Sequence, residues 1–207
     1  MRNFKTIARE SFWEMTVERS RFLANSYLVW DEESAAQRLS AQRKIFRGAT
    51  HYCYAYVLGP NSGISRHSDD GEPSRTAGMP ILEAIRGREL FNTLVIVTRY
   101  FGGVKLGTGG LVRAYGEAAA KVLEISGAAN YAYSAVYLVE FDYAHCPAVE
   151  KAAASFGKVL EKDFSGKVAF TIACPAEKGK EFERAISEAT CGKASIRLQE
   201  QKFLPFL

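Results

Sequence analysis

The chain has 207 residues, 47% hydrophobic and 24% charged, with a net charge of only +4. This excludes an intrinsically disordered protein and fits one large or two small packed domains. From Ser134 onward ten basic side chains balance ten acidic ones, so the whole positive excess precedes it and leans the front half toward an anionic partner. The four cysteines form no CxxC pair and histidines number three, so zinc-type spacing is absent. No apolar run approaches the roughly 20 residues of a membrane span, and the first five residues show no long apolar region. A membrane protein and a secretory signal are therefore not expected; a cytoplasmic, reducing setting with free thiols is.

Residues 4–17 alternate in part and predict one or two strands, and residues 22–30 a further strand. Asp31 reads as the cap of a polar helix over 34–46 carrying Ala35, Leu39 and Ile45. A strand over 50–58 puts Tyr52, Tyr54 and Tyr56 on one face and His51, Cys53, Ala55 and Val57 on the other. Turn clusters follow at 59–63 and 69–73. Pro80, Ile81, Leu82 and Ile85 predict a helix ending near Gly87, and residues 94–97 a strand buried on both faces. Leu111, Tyr115, Ala118 and Val122 recur at helical spacing in a helix that Gly127 ends. After a break expected near 130–133 the pattern is strand 136–142, helix 147–156, strand 158–164, a tight turn at Ser165-Gly166, strand 167–174, helix 177–189 and strand 195–202. That βαββαβ order is the split-βαβ pattern of a ferredoxin-like domain.

The segment from Arg99 to Leu111 places Gly102, Gly103, Gly107, Gly109 and Gly110 between a buried strand and a helix. Free N–H groups and the dipole at a helix start suit an anion, with Lys105 and Arg113 as flanking charge. No GK[ST] closes the segment and its spacing is not the dinucleotide fingerprint, so spacing alone favours tight-turn packing over an anion site. Asp69, Asp70 and Glu72, with His67 nearby, have the chemistry for Mg²⁺ or proton transfer, yet Asp-Asp-Gly is also good turn chemistry, and the structural reading leads. The tyrosine face reads as covered core before it reads as a base-stacking platform. His51 and Cys53 lack a third ligand and read as a hydrogen-bonded imidazole and a buried thiol. Both loops precede helices and would converge at one end of a sheet.

Ser68-Asp69-Asp70-Gly71-Glu72-Pro73-Ser74, Thr76-Ala77-Gly78-Met79-Pro80 and Asn92 resemble the YigZ/IMPACT family. So do residues 97–103 and 105–115, with earlier echoes at Ser20-Arg21-Phe22 and residues 51–55. The resemblance spans residues 19–127, and the neutral half is similar to the accessory domain of two-domain bacterial members. Arg75 departs from it, standing where family members usually have glycine.

The resemblance implies an α+β protein. Residues 1–132 would form a left-handed βαβ domain shared with a small-subunit ribosomal protein and galactokinase-type kinases. Residues 134–207 would form a ferredoxin-like domain similar to one in elongation factor G. Eukaryotic relatives regulate translation through a different extra domain, for which this chain has no matching segment. The expected function is a translation-associated regulatory binding protein that recognises RNA, the ribosome or a translation factor through its front domain. An enzyme acting on a phosphorylated small molecule or nucleotide is one alternative, and a pure protein–protein interaction module another. No catalytic residue, dedicated metal site or cofactor is assigned. Candidate ligands are Mg²⁺ at Asp69, Asp70 and Glu72, and a phosphate-containing group at Gly102, Gly103, Lys105, Gly107, Gly109, Gly110 and Arg113.

Overall fold

A computed structural model describes residues 3–59 and 63–206. The turn expected at 59–63 falls largely on residues outside those described. The chain is a two-domain α+β protein whose compact units divide between Asn130 and Tyr131.

In the first unit, β1 (Phe4–Ile7) and β2 (Ser11–Val17) occupy the stretch expected to hold one or two strands. They are followed by β3 (Ser20–Leu28), α1 (Glu32–Ile45), β4 (His51–Leu58), β5 (Ile64–Ser68), α2 (Gly78–Gly87), β6 (Thr93–Tyr100) and α3 (Gly107–Ser126). One antiparallel sheet has the order β2-β3-β6-β4-β5. Asp31 caps α1 as expected: its Oδ1 accepts from the Ser34 N–H at 2.7 Å, and the Ser34 hydroxyl accepts from the Asp31 N–H, a reciprocal box. Glu32 and Glu33 in its first turn and Arg43 and Lys44 in its last complement the dipole.

Strand alternation gives this sheet two apolar faces. Phe22, Ala24, Cys53, Ala55, Val95 and Val97 pack under α2 and α3 with Ile81, Ile85, Leu111, Tyr115, Ala118 and Val122. On the other face Tyr56, Leu58, Leu94 and Ile96 meet Ala35 and Leu39 of α1. The tyrosine row is thus largely covered. The Tyr52 hydroxyl donates to the Phe46 carbonyl and the Tyr56 hydroxyl to Glu32, while the Tyr54 and Tyr56 rings stack with centroids 6.2 Å apart. β5, Ile-Ser-Arg-His-Ser, is an edge strand too polar to announce itself in sequence.

β7 (Ala128–Phe141) begins directly after Gly127, whose φ of +61° ends α3. The division between the units falls inside the 130–133 stretch where a break is expected, and the backbone there is continuous strand, in line with the β-forming tyrosines that alternate with small residues. The second unit continues with α4 (Cys146–Phe156), β8 (Lys158–Asp163), β9 (Val168–Pro175), α5 (Gly179–Ala189) and β10 (Ser195–Phe206). Its own strands pair in the order β8-β9-β7-β10, within a five-stranded sheet that also includes β1. Tyr137, Val139, Phe141, Phe170 and Ile172 on the sheet pack against Val149, Ala153, Phe182 and Ile186 of the two helices. The β8–β9 link is residues 164–167, wider than the expected two-residue turn, with the Asp163 carboxylate accepting from the Ser165 N–H.

Candidate anion-binding site

The acidic turn joins β5 to α2, and its two aspartates are committed to holding that turn. Asp69 Oδ1 accepts from the N–H groups of Ala77 (3.0 Å) and Gly78 (2.8 Å), and Oδ2 from that of Arg75 (2.8 Å). It therefore supplies the cap that α2 lacks at Ala77. Burial works against the charge, but the three backbone donors outweigh it and hold the carboxyl below the usual range. Asp70 Oδ2 accepts from the Tyr52 N–H and Oδ1 pairs with Arg43, both at 2.7 Å. To shape this turn, Asp70, Gly71 and Arg75 adopt positive φ of 42°, 90° and 64°. Arg75 thus occupies a backbone conformation that favours glycine, and its side chain is exposed.

Glu72 turns inward. Its side chain is 4% exposed, and Oε1 accepts from Arg99 Nη1 and from the Tyr115 hydroxyl, both at 2.7 Å. Arg99, equally buried at the end of β6, also donates from Nη2 to Ser20 Oγ at 3.1 Å, and its guanidinium lies over the rings of Phe22 and Phe101. Ser20 Oγ in turn accepts from the Gly102 N–H. The Cys53 thiol donates to the Asp69 carbonyl at 3.0 Å. Burial pushes both the Tyr115 hydroxyl and the Cys53 thiol far up, so neither ionises near neutral pH. The His51 Nδ1 lies 2.8 Å from the Asp70 carbonyl, and its Nε2 lies 3.8 Å from Glu72. The polar chain Ser20–Arg99–Glu72–Tyr115 ties β3, β6, the acidic turn and α3 together at one end of the sheet, and the Cys53 thiol joins β4 to the same turn through the Asp69 carbonyl.

At this end a cavity of about 350 Å³ is lined by Glu72, Pro73, Arg99, Phe101, Lys105, Leu106, Gly107, Thr108 and Leu111. It brings one carboxylate of the acidic turn, Glu72, together with Lys105 and Gly107 of the glycine-rich segment. The other candidates lie elsewhere. Arg113 and Gly110 line a separate cleft with Val17, Glu18 and Lys105. Gly102 is pressed against the backbone of Arg19 and Ser20, where a Cβ would collide, and Gly110 has Leu106 Cβ at 2.9 Å from the place of its own. Gly103 and Gly107 have φ of 86° and 68° with open space around them, and Gly109 faces Arg113. A larger cleft of about 520 Å³ near Asn3, Leu58 and Phe91 gathers none of these residues. Among the described residues no three His, Cys, Asp or Glu side chains group as metal ligands, and no helix is long and apolar enough to cross a membrane.

Residues 18–123 match the Impact N-terminal domain, and residues 139–193 a domain of unknown function (DUF1949). The chain belongs to the IMPACT family. The IMPACT family member YvyE of Bacillus subtilis is 34% identical over 99% of this chain and 94% of its own length. YigZ of Escherichia coli is 29% identical over 89% of this chain and 92% of its own. A crystal structure of a hypothetical protein, 28% identical, superposes with a TM-score of 0.66, covering 97% of this chain and 98% of that one.

In this IMPACT family member, sequence reasoning did not single out Arg99 or Tyr115 as site residues. Tyr115 looked like one more apolar position on α3. The available signal was Arg99 itself: a cation ending an otherwise apolar strand must find a carboxylate if it is buried.

Proposed function

We propose that this IMPACT family member is a translation-associated regulatory binding protein whose first unit recognises RNA, with the ribosome as the RNA-bearing target. The observation that carries the reading is the basic and aromatic surface around the cavity. Arg19, Lys44, Arg47 and Lys105 are exposed and have no ion-pair partner among the described residues. The Tyr100 hydroxyl reaches the Arg47 carbonyl, Arg21 lies over the Tyr100 ring, and Phe101, 47% exposed, donates its N–H to Thr50. Cations that track phosphates beside aromatic rings that accept bases are what single-stranded nucleic acid requires. The positive excess of the front half supports the same reading.

We further assign the first unit, as residues 1–132, to the left-handed βαβ fold of ribosomal-protein type. The second, as residues 134–207, we assign to the ferredoxin-like fold, supported by its sheet order β8-β9-β7-β10. The test is binding of the full chain to total RNA and to ribosomes across a salt series, with Arg19→Ala/Arg47→Ala and Lys105→Ala/Arg113→Ala as paired variants. Affinity that falls steeply with salt and weakens in both variants is the expected result. No binding at low salt, or binding indifferent to salt and to these side chains, overturns the RNA reading.

A further inference from the structure

We propose that the outer edge of β2 is an interface at which two copies of this chain pair antiparallel about a two-fold axis through Trp13, joining their five-stranded sheets into one. This pairing does not rest on the RNA reading above.

β2 ends the order β2-β3-β6-β4-β5, so its side away from β3 has no strand partner among the described residues. Such an edge presents a row of backbone donors and acceptors, and proteins ordinarily guard it with charges, proline, a bulge or brevity. Other edges of this molecule are guarded in that way. β5 has only five residues and carries Arg66 and His67. β8 carries Lys158, Glu161, Lys162 and Asp163, and its register breaks between Val159 and Glu161. β10 carries Arg197, Glu200, Lys202 and Pro205. β2, Ser-Phe-Trp-Glu-Met-Thr-Val, has seven residues, no proline, glycine or lysine, and an unbroken register against β3. Its one charge, Glu14, is matched within the chain by Arg21 at 2.8 Å. Strand side chains alternate, so Phe12 and Trp13 sit on opposite faces, 48% and 37% exposed. Large apolar side chains on both faces of an unguarded edge mark it for a further strand.

Charge and register select the occupant. Glu10, just before the strand, pairs with Arg38 of the same chain, as Glu14 does with Arg21. The strand therefore offers no unmatched charge for an oppositely charged partner strand to recognise, and a second copy brings the same neutral edge. Glutamates stand at 10, 14 and 18. A two-fold axis on Phe12 sets Glu10 against Glu14, one on Glu14 sets that residue against itself, and one on Thr16 sets Glu14 against Glu18; like charges directly opposite are unfavourable. An axis on Met15 runs Phe12 against Glu18, where positive φ at Glu18 and Arg19 has already turned the chain back into β3. An axis on Trp13 has neither fault. It sets Trp13 on its own copy, Ser11 on Met15 and Phe12 on Glu14, so both exposed aromatics gain a cross-strand neighbour.

The experiment is sedimentation of the full chain across a concentration series, for wild type, Trp13→Lys and Phe12→Lys. Disulfide trapping of Trp13→Cys and Thr16→Cys accompanies it, in a Cys191→Ser background that removes the exposed native thiol. Wild type is expected to sediment as a dimer. Trp13→Lys places like charges on the axis and raises the dissociation constant about 10-fold or more. Trp30 remains in that variant, so its fluorescence in urea checks that the variant folds. Phe12→Lys places a lysine against Glu14 and leaves the dimer intact. Directly opposed Cα atoms lie about 4.5–5.5 Å apart, within disulfide reach, so the Trp13→Cys chains cross-link. The two copies of position 16 lie roughly 20 Å apart and do not. A monomer at every concentration overturns the proposal and leaves the edge to a strand of another protein. A dimer that Trp13→Lys leaves intact, or that Thr16→Cys traps and Trp13→Cys does not, overturns it in favour of another surface or register. A dimer lost equally in Phe12→Lys overturns the axis at Trp13.

Discussion

Replacing Glu72 by leucine leaves the Arg99 guanidinium buried without its counter-ion and the Tyr115 hydroxyl without its acceptor. Breaking a buried pair from one side costs about 3–5 kcal/mol, because the remaining charge is uncompensated. Arg99→Leu costs a similar amount from the other side, reduced by the hydrogen bond Tyr115 still donates to Glu72. The double variant removes both charges into surroundings that already hold Phe22 and Phe101. Its cost is expected to be well below the sum, with a coupling of at least about 2 kcal/mol. Both tryptophans, Trp13 and Trp30, lie in the first unit, so their fluorescence in urea reports on that unit. With a slope near 2 kcal/mol per molar urea, each single variant lowers the midpoint by about 1.5–2.5 M. Additive single costs, or single shifts under about 0.3 M, would refute a buried, mutually dependent pair.

The turn and the glycines give three further expectations. Arg75→Gly relieves the positive φ at that position and stabilises the first unit by about 0.5–1 kcal/mol net of the extra freedom gained in the unfolded chain, raising its urea midpoint by about 0.25–0.5 M; a lowered midpoint contradicts it. Asp69→Ala removes the cap of α2 and costs about 1–2 kcal/mol at pH 7. Because the Asp69 carboxyl is lowered in the folded state, its stabilisation is complete above the unfolded value near 3.9 and fades as pH falls through the folded one. Wild type and variant should therefore converge below about pH 4, and a gap that widens there refutes the assignment. Gly102→Ala drives a Cβ into the Arg19 backbone and destabilises by about 3 kcal/mol or more. Gly103→Ala meets open space and costs only about 1 kcal/mol of backbone strain, so equal thermal shifts for the two would be wrong for this loop.

The parts legible in sequence are those whose physics is local. Asp31 and Ser34 are three residues apart and box the start of α1 by themselves. The tyrosine row follows from period-two alternation alone. The polar edge strand β5 was missed because propensity there is weak and sheet pairing decides. The site was the least legible. Glu72 finds Arg99 across 27 residues and Tyr115 across 43, and no window of periodicity contains such pairs. Asp69, Asp70 and Glu72 look equivalent in sequence, but the fold gives each a different neighbour: helix N–H groups, an exposed arginine, a buried one.

That separation of roles bears on what the acidic turn contributes. A carboxylate whose oxygens already accept two or three backbone N–H groups has little capacity left to coordinate a cation, which argues against Mg²⁺ at Asp69. Asp70 is likewise neutralised by Arg43. Of the three carboxylates Glu72 alone lines the cavity, and there it pairs with the buried Arg99 guanidinium. The acidic turn therefore acts as scaffold, and the basic side chains of the cavity wall are Arg99 and Lys105. An acidic motif beside a glycine-rich one offers metal and phosphate chemistry as the lesser reading in sequence; in the folded chain the aspartates are spent on backbone N–H groups and Arg43, and the glutamate on Arg99 and Tyr115.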